Sequence, residues 1–459
     1  MKVVVGIDLG STTTKAVLLD EEARVVGRGI TNSRSNYEVA CAVARDEALT
    51  AARFTLLERS LQRRAFVLGG TAEAAQRTLR EAFRMELYLD ELEELRAEIQ
   101  RNLRSLTYHA DRPRLLEGAT EVLDGMVASA PALFVNETAR KSDFFRDIAG
   151  AGFMTGAERV SAKGVVAFER LVGLFDRAIL DVETRMKTRP FGELLHRAGR
   201  RVFGDDTPPV QRRACMDAID EVATSAIEEV SFVGTGYGRQ TLPFPKSAVK
   251  SEILCHGRGA HRVFPGTRTV LDIGGQDTKA IQVDDSGVVT SFQMNDRCAA
   301  GCGRYLGYIA DELNLGLHEL GPLALQAHRV VKVNSTCTVF AGAELRERLA
   351  LGERREDILA GLHRSIMLRA MSLLARSGGV KSEFTFTGGV CRNPMATKVL
   401  RELVEENYGA GITINTHPDS IYMGALGAAL YGLDDIRAGQ PAVLPTFVRA
   451  LLGGAAATA

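Results

Sequence analysis

Residues 8–17 read DLGSTTTKAV and residues 272–281 read DIGGQDTKAI, two segments that align without a gap. Asp8 matches Asp272, Gly10 matches Gly274, Thr14 matches Thr278, Lys15 matches Lys279 and Ala16 matches Ala280. A repeat of this kind constrains the fold strongly, because each copy has to build the same supersecondary unit. Each segment follows an apolar run (VVVGI; TVL) and precedes another (AVLL; AIQV), then an acidic turn and a third apolar run. Each copy therefore reads as two hairpinned strands joined by a turn rich in glycine and hydroxyls, with a third strand beside them.

Such a turn has specific chemistry. Glycine allows close backbone approach, and the N–H groups of the turn form an anion-binding nest. Ser11, Thr12 and Thr13 add hydroxyl donors, and Lys15 adds charge. Asp8 and Asp272 end their strands, where a carboxylate holds a hydrated Mg²⁺ through water. One copy alone is also an ordinary hairpin. Two copies in register predict two lobes that clamp a polyphosphate between them.

The rest of the chain sets bounds. Its 459 residues suffice for two or three domains. Its 57 basic and 57 acidic residues cancel, which argues against nucleic acid or a membrane surface as partner. No apolar run reaches the roughly 18–20 residues of a membrane span. The start, MKVVVGIDLG, has no signal-peptide pattern and reads as the first core strand of a cytoplasmic protein. Seven cysteines, at 41, 215, 255, 298, 302, 337 and 391, form no secreted disulfide framework and are bystanders or metal ligands. In NDRCAAGCGRYLG, the pair Cys298 and Cys302 reads by itself as a metal site, a redox pair or a tight turn.

The two turns resemble the phosphate-1 and phosphate-2 loops of the superfamily of sugar kinases, Hsp70 chaperones and actin. That resemblance implies an α/β, duplicated actin/Hsp70/sugar-kinase-like ATPase fold, with Gly274 and Gly275 in the second phosphate loop. EFTFTGGVCRNPMATKVLREL at 383–403 resembles the strand, glycine pair and helix that close over the adenosine. It implies nucleotide contacts for Gly388, Gly389 and Asn393. SIYMGALGAALYGL at 420–433 resembles the closing helix, with Gly424 at the nucleotide and Gly427 allowing close packing. KSEILCHGRGAHRV at 250–263 resembles the connecting helix, which carries an acidic residue. Glu252 is then a candidate to orient the attacking water, and equally an acid favoured by a helix N-terminus.

Four segments together, GTGYGR (234–239), DIGGQD (272–277), SFQMNDRCAAGCGRYL (291–306) and VNSTCTVFAGAEL (333–345), narrow the resemblance. They are similar to the ATP-dependent activators of 2-hydroxyacyl-CoA dehydratases and the ATPase subunits of benzoyl-CoA reductase. The similarity covers roughly residues 1–35 and 225–435. In that family each subunit supplies two cysteines to one [4Fe–4S] cluster at the interface of two similar subunits; the matching residues are Cys298 and Cys337. A cluster takes about four thiolates, so a chain offering two completes the set by pairing across a two-fold axis. Cys302 falls outside the family's ligand set and is expected a turn into a helix that begins near Ala299. Cys255 and Cys391 read as small core residues. Asp8, Asp272 and Gln276 are expected to organise Mg²⁺ and water, and Ser11 to Thr14 with Lys15 to hold phosphate.

The resemblance implies an ATP-hydrolysing electron-transfer subunit. It would pass low-potential electrons from ferredoxin, through the subunit-bridging cluster, to a two-subunit benzoyl-CoA reductase core that reduces the aromatic ring. The cluster partner would be a smaller paralogous ATPase subunit, or a second copy of this chain. Activation of a 2-hydroxyacyl-CoA dehydratase is the alternative within the family; a non-redox small-molecule kinase is the alternative from another class.

The expected organisation is a first lobe from 1–40 and 211–240, an insertion over 41–210, a second lobe with the cluster loops over 241–440, and a tail over 441–459. Leu89, Leu92, Leu95, Ile99, Leu103 and Leu106 recur at helical spacing, so the insertion is mainly helical. ALFVNETARKSDFFRDIAGAG at 132–152 sets aromatics among charges. A long insertion resembles the larger ATPase subunit of benzoyl-CoA reductase.

Overall fold

The computed structural model describes all residues except 34–35, 69–71, 105–110, 136–143, 165, 186–189, 237–243, 296–300, 334–337, 446–447 and 449–459. The chain forms two compact units, Met1–Leu49 with Ile227–Ala459, and Thr50–Ala226.

The first unit opens with the predicted three strands, β1 (Lys2–Leu9), β2 (Thr13–Leu19) and β3 (Val25–Asn32), joined later by β4 (Glu228–Thr235) in the order β3-β2-β1-β4. β1 is antiparallel to β2 and parallel to β4. Its run of buried residues from Val3 to Leu9 reflects a central strand covered on both faces.

The helical unit follows. α1 (Tyr37–Arg63), α2 (Ala65–Leu68), α3 (Ala72–Asn102), α4 (Arg112–Leu133), α5 (Phe145–Ala162), α6 (Phe168–Thr184), α7 (Phe191–Val202) and α8 (Pro209–Thr224) lie between β3 and β4. The long α3 serves two cores. Its first half joins Leu57 and Leu61 of α1, Leu194 and Leu195 of α7, and Ile219 and Val222 of α8. Its second half offers Leu92, Leu95 and Ile99 to Val122 of α4, Phe153 of α5 and Phe175 of α6. Leu106 and part of 132–152 lie outside the described residues.

The boundaries differ from 41 and 210 for packing reasons. A Cβ on Gly29 of β3 would lie 2.0 Å from the Ala44 carbonyl, so the start of α1 lies directly against the first sheet. At the other end, α8 buries Cys215, Ile219 and Val222 among the insertion helices, so residues from 211 to 224 belong there and not to the first lobe.

The second half repeats the first. After α9 (Glu252–Val263) come β5 (Thr269–Ile273), β6 (Thr278–Val283) and β7 (Val289–Asn295). Then follow α10 (Gly303–Glu312), α11 (Leu317–Ala324), α12 (Thr338–Ala350), α13 (Arg355–Ser377), β8 (Phe384–Thr387), α14 (Pro394–Tyr408), β9 (Ile414–Asn415) and α15 (Met423–Arg437). The sheet order is β7-β6-β5-β8-β9, with β5 antiparallel to β6 and parallel to β8. β4 and β8 extend the duplication beyond the quoted repeat. Thr235 pairs with Asp8, and Thr387 pairs with Asp272. Each threonine precedes a left-handed glycine, Gly236 at φ +102° and Gly388 at φ +86°. A Cβ at Gly236 would lie 2.5 Å from Asp8 Oδ1, and one at Gly388 would lie 2.3 Å from the Ile273 carbonyl. A side chain at either place would collide with the end of the neighbouring strand.

α15, expected with the second lobe, instead covers the first sheet through Leu426, Ala429 and Leu430 against Val17 and Leu19. α9 covers the second sheet through Ile253 and Ala260 against Val270 and Ile281. These two helices meet at backbone distance. A Cβ on Gly427 would lie 1.9 Å from the Cys255 carbonyl, and one on Gly259 would lie 2.0 Å from that of Met423. The other face of the second sheet carries a core from α10 to α14. α13 in that core is long and apolar enough to cross a membrane, but 67% of its apolar window is buried among these helices.

Candidate functional site

Both repeated turns face one cleft. It is lined by Asp8, Gly10, Ser11, Thr12, Thr13 and Lys15 from the first sheet, and by Asp272, Gly274, Gly275, Asp277 and Lys279 from the second. Glu252 and His256 of α9, with Gly388 and Ile421, complete the lining. Hairpin register sets Asp8 across from Lys15 and Asp272 across from Lys279. The Ser33 hydroxyl braces the first turn, donating to the Gly10 carbonyl at 2.5 Å and lying 3.1 Å from the Thr14 hydroxyl. The second is closed by the Gly274 N–H, which donates to the Asp277 carbonyl at 3.0 Å. The turns approach closely because position 275 is glycine: a Cβ there would lie 2.1 Å from the Thr12 hydroxyl.

Asp8 is buried yet lightly engaged. Lys15 Nζ stands 3.8 Å from Oδ2, and Oδ1 has no hydrogen-bond partner among the described residues. A buried carboxylate oxygen needs a polar partner, and this one suits water or a hydrated cation. Gly424 leaves room for it, since a Cβ there would lie 2.9 Å from Asp8 Oδ2 and 2.8 Å from His256 Nε2.

The second copy is locked. Lys279 Nζ lies 2.8 Å from Asp277 Oδ1, 2.9 Å from Glu252 Oε1 and 3.3 Å from Asp272 Oδ2. Asp272 Oδ1 accepts from the Thr387 hydroxyl at 2.8 Å and lies 3.2 Å from His256 Nδ1. Burial alone would raise the Asp272 carboxyl, but the charges of His256 and Lys279, with the hydrogen bond from Thr387, hold it far below the carboxylate range. Burial would lower Lys279; Asp272, Glu252 and Asp277 keep it well above its ordinary value. Burial would also lower His256, and Asp272 keeps it above its ordinary value. Glu252 moves the other way: burial raises its carboxyl, against the pull of Lys279 and His256.

These shifts make stability depend on pH. A group whose folded pKa is raised contributes in full below its unfolded pKa, and loses that contribution as pH rises through the folded value. His256 therefore stabilises fully below about pH 6.5 and progressively less on the alkaline side. Asp272, depressed, stabilises above about pH 4 and loses that contribution as pH falls further. His256→Gln is expected to cost about 1.5–3 kcal/mol near pH 6, and less at about pH 9. Guanidinium unfolding of both proteins at the two pH values checks this. A cost that does not change with pH would mean that His256 is not held charged.

Other expected site residues are placed differently. Gln276 is half-buried and does not line the cleft, whereas its neighbour Asp277 does. Gly388 lines it and Gly389 opens the following 3₁₀ turn. The Asn393 carboxamide is committed to α14: its Oδ1 accepts from the N–H groups of Met395 and Ala396 at 3.0 and 3.1 Å. Its Nδ2 donates to His363 Nε2 at 2.9 Å. Glu252 is the first residue of α9 and also lines the cleft. Lys279, Asp277 and His256 were absent from the expected set. Lys279 was signalled by its match to Lys15, and His256 by its place one turn after Glu252 on the same helix face.

Cys298 and Cys337, the expected cluster ligands, lie outside the described residues. Cys302 is buried, but it precedes α10 instead of sitting inside it, because the helix begins at Gly303 and not near Ala299. Cys255 is buried between Val233 and Ala428, and burial pushes its thiol up to about 12. Cys391 packs in the second-sheet core, with its thiol also raised by burial.

Comparison with known proteins agrees with this geometry. A sequence profile of the BadF/BadG/BcrA/BcrD ATPase family matches residues 5–432. The (R)-2-hydroxyglutaryl-CoA dehydratase activating ATPase of Acidaminococcus fermentans is 43% identical over 205 residues, 44% of this chain and 76% of the relative. A benzoyl-CoA reductase subunit of Thauera aromatica is 33% identical over 240 residues, 52% of this chain and 84% of the relative. The crystal structure of component A of the A. fermentans (R)-2-hydroxyglutaryl-CoA dehydratase superposes with a TM-score of 0.52 at 23% identity, covering 95% of this chain and 100% of that one. It shares the duplicated actin-like ATPase fold. The chain therefore belongs to the BadF/BadG/BcrA/BcrD ATPase family.

Proposed function

We propose that this chain is the ATP-hydrolysing, electron-donating component of a two-component system acting on an acyl-CoA. The observation that carries the reading is the single cleft built from two copies of one Asp–turn–Lys unit, in a chain of this ATPase family. The N–H groups and hydroxyls of Gly10 to Thr13, with Lys15, bind the phosphates by nest and charge. Gly274 and Gly275 admit them on the second side, and Gly388 with Gly389 admits the adenosine. Asp8 holds the hydrated Mg²⁺ through its available oxygen, and Glu252 aims the attacking water. Asp272 fixes the second turn.

Cys298 and Cys337 are the residues that would hold a [4Fe–4S] cluster together with the same pair from a second subunit. Bound there, the cluster supplies a low-potential one-electron store. A ferredoxin is the donor class that matches such a store, and the cytoplasm is the setting that fits such a donor.

Two electron acceptors are in view. The dehydratase activator is the more similar of the two relatives, which favours delivery to a 2-hydroxyacyl-CoA dehydratase. A benzoyl-CoA reductase core is the second acceptor, on the likeness to a subunit of that enzyme at 33% identity. Anaerobically purified chain, reduced and mixed with either enzyme, tests this directly. ATP should switch on one of them and form ADP with no phosphorylated acceptor. A phosphorylated small molecule, with no ATP-dependent effect on either enzyme, would instead identify a kinase.

A further inference from the structure

Lys15 and Lys279 hold the same place in the repeat, each across its hairpin from an aspartate. Their surroundings differ. The Lys15 side chain is 16% exposed, and its contact with Asp8, at 3.8 Å, is beyond hydrogen-bond reach. The Lys279 side chain is 2% exposed, and its ammonium meets three carboxylates from three segments. Asp277 belongs to the second turn, Asp272 to β5 and Glu252 to α9. An ammonium has three donors, and three carboxylates engage them all. Lys279 is thus left without a donor for phosphate, while Lys15 faces the first turn and makes no hydrogen bond among the described residues.

We propose that Lys279 is a positioning residue that pins the Glu252 carboxylate of α9 to the second turn, so that only Lys15 of the duplicated pair touches the nucleotide. The inference rests on the ATPase reading of the cleft. It explains why a lysine is buried here at all. A buried ammonium needs anionic partners, and these partners sit on elements whose alignment sets the angle of Glu252 to the phosphates. Duplication supplied two lysines, and the second has become a brace.

The test is steady-state ATP hydrolysis together with calorimetric Mg·ADP binding, on the full chain and its variants. Lys279→Met is expected to lower kcat about 10²-fold, because the water-directing carboxylate is misplaced, with KM and the ADP Kd within about threefold. Lys15→Met is expected to do the reverse, weakening ADP about tenfold or more with a smaller loss in kcat. Lys279 acts through Glu252, so the Lys279→Met/Glu252→Gln double variant should be no slower than Glu252→Gln alone. Should Lys279→Met lose its thermal transition, Glu252→Asp withdraws the carboxylate by one methylene and keeps both charges; it should show the same kcat-only loss. Effects on kcat that multiply in the double variant would overturn the proposal, as would wild-type kcat in Glu252→Asp. So would an ADP defect in Lys279→Met equal to that of Lys15→Met. A wild-type chain that neither binds ADP nor hydrolyses ATP would overturn the ATPase reading itself.

Discussion

Asp8→Asn is expected to cut ATP turnover by about 10²- to 10³-fold, the scale seen when one preorganised electrostatic group is removed from a reaction centre. The fold should survive. Asparagine matches the aspartate in shape, and Asp8 makes one long ion-pair contact, with Lys15 at 3.8 Å. Its other oxygen has no hydrogen-bond partner among the described residues, so little internal structure depends on its charge. The matched change in the second copy should behave differently. Asp272→Asn removes the charge that Lys279 and His256 both face, and should cost about 3–5 kcal/mol of stability as a broken buried pair. Thermal melts beside ATP assays separate the two: Asp8→Asn stable and inactive, Asp272→Asn unstable first. Wild-type turnover in Asp8→Asn would remove the cleft from consideration as the hydrolytic site.

Cys298→Ala and Cys337→Ala form the second large prediction. Each should reduce bound iron to background after anaerobic purification, while ATP hydrolysis stays measurable. The reason is stoichiometric. A [4Fe–4S] cluster takes about four thiolates, and in a homodimer one substitution removes half of them. Cys391→Ala should keep its iron, because that thiol is buried in the second-sheet core. Iron retained by both Cys298→Ala and Cys337→Ala would refute the shared-cluster reading.

Local sequence carried much of the architecture. The repeat around Asp8 and Asp272 is visible because phosphate-type turns are built from short contiguous residues. The strand–glycine–helix segment at 383–403 is visible for the same reason, and so is the helix that begins at Glu252. What stayed hidden depends on elements brought together from afar. His256 reads in sequence as a neighbour of Cys255. Its meeting with Asp272 needs α9 laid over the second sheet. α15 reads as the end of the second lobe, yet its buried face fits the first sheet, and periodicity does not name a partner. Asn393 was a missed local signal: asparagine followed by proline at a helix start is a capping pattern, and its carboxamide caps α14. The edge of the insertion was hidden because α1 runs unbroken from Tyr37 to Arg63, with no glycine or proline to mark a boundary.

The most direct measurement mixes the reduced chain rapidly with its acyl-CoA enzyme and follows oxidation of the cluster, with ATP, with a non-hydrolysable analogue and without nucleotide. An ATP-driven donor gives transfer with ATP alone, and Asp8→Asn abolishes it. Transfer at the same rate in all three mixtures, or a wild-type chain that holds no iron, would contradict an ATP-driven electron donor.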